Sequence, residues 1–277
     1  MSTTKSSQFQ MVDERGWRRG MGNLLRGELS SWFKTRKWLK QILIWLLIIN
    51  LILFFTVIGL GEAVKEAAAA GEPPPDVDTP MLYGIFGGMF VAFGVMVAMQ
   101  RVLVGEKRDG TAAWVLSKPV TRTAFVVSRL VGNTLGILLT AVLVPGAVAY
   151  LTIGMLTPLG WLPPLDYLAG MAVISLSAFF WLTLTLMMGT FFEKSGGVIA
   201  IPMGLYFAMW MLPSVLTPLM YITPVILTIG PEGDFKGVST ALMLGESPFS
   251  WLPVISAVIF SAIFITVAIR RFNSQEF

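Results

Sequence analysis

The residues with the most chemistry to offer stand in a row. Glu106-Lys107-Arg108-Asp109-Gly110-Thr111 is a charge cluster closed by a glycine that permits a tight reversal. It opens residues 105–130, the longest charged interruption between two apolar blocks of the chain. A carboxylate set beside two cations can pair with an arginine of a second protein, so Glu106 is expected to make a charged contact with a soluble partner. Pairing with Arg108 or with solvent is the alternative. Catalysis fits poorly, because the chain has no His and no Cys. That removes the usual general base, the usual zinc or haem ligand, and every thiolate or disulfide. No Gly-x-x-x-x-Gly-Lys-Ser/Thr phosphate loop occurs either, and Glu193-Lys194-Ser195-Gly196-Gly197 has its letters in the wrong order. The chain is therefore expected to be no enzyme and to hold no cofactor or metal of its own.

The elements that must position this cluster are short. Asp109 or Thr111 is placed to cap a helix over 112–116, and Thr121 to cap a second helix starting at Arg122. Lys118-Pro119 separates them. Two helical pieces with an apolar side at Trp114, Val115 and Leu116 and a basic rim make a docking knob at a membrane surface. The membrane follows from composition: 55% of the residues are hydrophobic and 13% charged, with a mean hydropathy of +0.74. A soluble domain could not carry that on its surface. All of the 20 Lys and Arg except Lys65 and Lys236 fall before residue 42, within 101–129, at Lys194, or at Arg270-Arg271. The positive-inside rule then places both termini in the cytoplasm. The net charge of +4 reads as topology and contact with anionic membrane lipid, not as nucleic-acid binding.

Taken in order, residues 1–21 read as a flexible cytoplasmic tail and 22–277 as one transmembrane domain. In 22–40, Leu25, Leu29, Trp32 and Phe33 recur at helical spacing among Arg and Lys, the pattern of a helix lying in the interface. Spans are expected at about 42–60, 81–104, 130–153, 168–192, 197–212 and 251–269, from the roughly 20 apolar residues a helix needs to cross. The loop 105–129 joins the second to the third. After the first span, the alanines at 67–70 can continue the helix until the prolines at 73–75 end it. Gly84-x-x-x-Gly88 and Gly132-x-x-x-Gly136 permit close helix approach, for packing first and a dimer contact second. Pro145-Gly146 should kink the third span. Glu193-Lys194 forms a minimal turn and a candidate second contact with a cytoplasmic partner. Residues 213–230 carry Pro213, Pro218 and Pro224, and a separate crossing there would reverse the last span. An outer re-entrant or surface-lying segment fits better. Mid-span Asp, Glu, Lys and Arg are absent, which argues against coupling to an ion gradient. Asn50, Asn133 and Thr140 remain as candidates for a translocation path.

Glu106, Gly110, Thr111, Leu116, Ser117, Pro119, Val120, Thr121, Arg122 and Phe125 carry a pattern, Glu-x-x-x-Gly-Thr then Leu-Ser-x-Pro-Val-Thr-Arg. It resembles the first cytoplasmic loop of the ATP-binding-cassette (ABC) type-2 export permeases. The resemblance implies an all-α polytopic fold of six transmembrane helices, with an elbow helix like Glu28-Leu29 to Trp38 and an outer re-entrant segment before the last span. It also implies an Arg-rich end like Arg271-Phe272-x-x-x-Glu276-Phe277. Through it, 105–129 is a coupling loop seated on a separate ABC-type ATPase subunit that binds ATP and Mg. The contact residues would be Glu106, Lys107, Arg108, Gly110, Thr111, Trp114, Pro119 and Arg122. A second permease copy or a paralogue completes the assembly in a prokaryotic cytoplasmic membrane. The alternatives are a membrane anchor that moves nothing and, less well supported, an intramembrane enzyme.

Overall fold

In a computed structural model the chain is described over residues 15–72, 79–157, 159–230 and 236–275. Residues 1–14 of the tail expected over 1–21, the prolines at 73–75, Glu232, and Glu276-Phe277 lie outside the described residues. A backbone surrounded by hydrocarbon must satisfy its own hydrogen bonds, and this chain does so with helices: α1 (Met21–Phe33), α2 (Lys37–Ala70) and α3 (Thr79–Arg108). The short α4 (Thr111–Leu116) precedes α5 (Arg122–Leu156) and α6 (Pro164–Phe191). Then come α7 (Ser195–Val215), α8 (Val238–Met243) and α9 (Leu252–Asn273). Of these, α2, α3, α5, α6, α7 and α9 are long and apolar enough to cross a membrane, and no strand occurs among the described residues. The protein is an all-α polytopic membrane protein.

Helix ends and apolar ends do not coincide. The span expected from 42 begins at Lys37, the one expected to end at 104 runs on to Arg108 past a turn at Gln100-Arg101, and the one expected from 130 begins at Arg122. Charges mark where hydrocarbon stops, whereas a helix can continue into the headgroup layer and beyond. The interfacial helix is shorter to match, ending at Phe33. At the other end of α2 the alanines do extend the helix, and it closes before the prolines. Gly71, at φ 71°, and Glu72 donate to the carbonyls of Ala68 and Ala67, a Schellman closure that needs a left-handed residue. Two spans contain a π-helical turn, Leu46–Asn50 in α2 and Leu138–Leu143 in α5. The second ends just before Pro145, whose ring and missing N–H forbid the ordinary ladder behind it.

The bundle is built around α6, for which 72% of the span window is buried, against 28% for α2, 22% for α9 and 17% for α7. It packs on α9, α8, α3 and α7. Its buried Thr183 and Thr185 donate to the carbonyls of Phe180 and Trp181, at 2.9 and 2.7 Å, so these two hydroxyls are satisfied within their own helix. Between α7 and α9 the chain forms an inserted element. Thr217–Tyr221 is a 3-10 turn, Pro224–Leu227 is a second and buried one, and α8 follows, buried against α6 and α3. The re-entrant segment expected at 213–230 is thus shifted: α7 continues to Val215, and the buried part reaches Met243. Gly84 and Gly88 make room for it, since a Cβ at Gly88 would collide with Thr228, and one at Gly84 would stand 2.6 Å from Thr240 Oγ1. These glycines serve a contact within the chain.

Candidate functional site

The charged cluster sits where α3, α4, α5, α1 and the chain end meet. Gly110, at φ 70°, turns the chain from α3 into α4 and is itself the N-cap, with Trp114 N–H donating to its carbonyl at 3.0 Å. Neither Asp109 nor Thr111 caps this helix, because Asp109 is taken up in closing α3, its N–H on the Gly105 carbonyl. At the next helix the expected cap is present. Thr121 Oγ1 accepts from Ala124 N–H at 3.1 Å and donates to the Trp17 carbonyl at 2.5 Å. Thr121 N–H also reaches the Arg19 carbonyl. Residues 15–20 are thereby fastened to the loop, a correction to the tail expected over 1–21. Thr121→Ala is expected to cost about 1 kcal/mol, the usual value of a lost cap, and a thermal melt of the purified protein measures it.

Glu106 does not project outward. Its Oε1 takes a hydrogen bond from Arg129 at 2.6 Å, while the other arm of the same guanidinium pairs with Glu28 of α1. Asn133 donates to Glu28 Oε1 at 2.8 Å and accepts from Trp32 Nε1 at 3.2 Å. Glu28 and Trp32 reach this depth because Gly132 and Gly136 have no side chains, and a Cβ at either would collide with them. The glycine pair anticipated for packing thus admits α1. The result is a half-buried clamp joining the elbow helix, the end of α3 and the start of α5. Asn133 belongs to this clamp, and Thr140 donates to the Gly136 carbonyl at 2.8 Å. Asn50 is different: it is buried in the π turn of α2, and its amide has no partner among the described residues.

The other anticipated contact residues divide. Lys107 Nζ donates to the Phe192 carbonyl at 3.1 Å. Arg122 donates to the carbonyls of Asn273 and Gln275, each at 2.6 Å, and so ties the chain end to the loop. Outward-facing are Arg108, Gly110, Pro119 and Trp114, with Trp114 62% exposed and Lys118 Nζ 3.4 Å from its ring centroid. Thr111 is half-buried, and Glu193 and Lys194 are exposed beside the loop. The arrangement is mechanical: an exposed aromatic on a six-residue helix, beside a half-buried ionic base. Sequence reasoning missed Arg129 as the centre of that base. Its one signal was position, a lone cation facing the small-residue stripe that begins at Gly132.

A scan against protein-family models finds no match for this chain, and a search of curated proteins finds no relative.

Proposed function

We propose that the chain is the permease subunit of an ABC exporter in a prokaryotic cytoplasmic membrane, driven by a separate ATPase that seats on α4. The observation that carries the reading is the pairing of an exposed Trp114 with the Glu106–Arg129–Glu28 clamp beneath it. A large aromatic left in water at the tip of a short helix is the residue type that dominates interface energetics. The clamp supports the reading because a push on α4 would pass to α1, α3 and α5 together, without bending a loop. In this reading both termini are cytoplasmic, the ATPase subunits bind ATP and Mg, and a second permease copy or paralogue completes the transport path. The thinly buried faces of α2, α7 and α9 are available to lipid and to that second subunit.

The test is assembly. The full-length chain co-expressed with an ABC-type ATPase encoded beside it should retain that ATPase through purification, and Trp114→Ala should lower retention by about 10-fold or more, as expected for an aromatic anchor. A chain that holds no nucleotide-hydrolysing subunit, or holds one equally well without the indole, overturns the reading.

A further inference from the structure

Beside the clamp, and outside its network, lies a cleft of about 960 Å3 between the end of α3, the turn from α6 to α7, and the end of α9. Arg101, Lys107, Arg108, Lys194 and Arg271 line it, against the acids Asp109 and Glu193, so its charge is strongly positive. Two of the cations are held in place: Lys107 by the Phe192 carbonyl, and Arg271 over the Phe191 ring at 5.6 Å from its centroid. The wall formed by α7 adds a second attraction. Among the described residues no side chain caps its first turn, and Gly196 faces open space, so the N–H groups of a helix start are available to an anion there. A third feature is apolar. Phe191, 48% exposed, lies in the cleft, and α7, which starts beside it, leaves Ile201 and Phe207 exposed.

We propose that this cleft binds the phosphate of an anionic phospholipid, with its acyl chains lying along the outer side of α7. Cations, a helix start and an open aromatic converge where several membrane-crossing helices end. At that depth a phospholipid presents its phosphate. An acidic protein segment would use the charge but leave the exposed Phe191 and the exposed apolar residues of α7 without purpose. The proposal does not depend on an ATPase seating on α4.

The detergent-purified full chain, given phosphatidylglycerol and phosphatidylcholine in equal amounts and examined by native mass spectrometry, should retain phosphatidylglycerol in preference. Arg108→Gln with Lys194→Gln should lower that preference by about 10-fold or more, the loss expected for two cations at headgroup level. Ser195→Glu provides an independent check. A carboxylate at the start of α7 favours the helix yet occupies and repels the phosphate position, so the preference should vanish with thermal stability undiminished. Equal retention of the two lipids by the wild type, or a preference indifferent to both variants, overturns the proposal. So does displacement of phosphatidylglycerol by inorganic phosphate or by an oligoglutamate peptide, which would show the cleft reading charge without the lipid.

Discussion

Arg129→Met is expected to lower stability by about 3 kcal/mol, the lower end of the range for breaking a buried ion pair, since Glu28 is buried while Arg129 and Glu106 are half-buried. Glu28 is buried, and among the described residues its carboxylate would keep the Asn133 amide, while Glu106 would lose its bond from Arg129. Two like charges would then share the site with no guanidinium between them. The penalty belongs to the stranded charges more than to the pair itself, so the combined change Glu28→Gln, Glu106→Gln, Arg129→Met should recover most of the loss. Thermal unfolding in detergent, followed by tryptophan fluorescence, separates the two, since Trp32 reports directly on the clamp. A single variant as stable as the wild type would mean that the clamp carries no strain-bearing role.

Gly88→Ala should destabilise by about 1–3 kcal/mol, the range for overpacking a closed contact. The added methyl meets Thr228 at its Cβ, and a Cβ cannot swing aside as the end of a long side chain can. Gly59→Ala is the matched comparison. It also lies inside a membrane-crossing helix, but nothing stands within 4 Å of its added methyl. There the helix preference of alanine over glycine acts alone and should stabilise by about 1 kcal/mol. Opposite signs for the same substitution in the same melt would locate the inserted element against α3; equal signs would remove it from that position.

What the sequence showed and what it hid follow from range. The spans were legible because hydropathy is a local sum, and Thr121 was legible as a cap because a cap acts three residues away. The alanines at 67–70 continued the helix as their propensity requires. Arg129 and Glu28 lie 101 positions apart, and no local pattern joins them; Arg129 read as the last charge before an apolar block. The inserted element was half visible. Pro218 and Pro224 announced a broken helix, but α8, a six-residue piece rich in Ser and Thr, reads as loop. Its burial is decided by the bare surfaces at Gly84 and Gly170, where Thr240 and Met243 fit. The π turns were invisible for a different reason, since they are adjustments of backbone register and select no residue type.

The bond from Arg122 to the carbonyl of Asn273 spans 151 positions, and that to Gln275 spans 153. During synthesis Glu28 can meet Arg129 as soon as the third crossing has left the ribosome, whereas the guanidinium of Arg122 must wait for the last one. At about 5–20 residues per second the delay is on the order of ten seconds. The nascent protein therefore passes through a period in which the elbow is already locked while the neighbouring loop still lacks its bonds to residues 273–275.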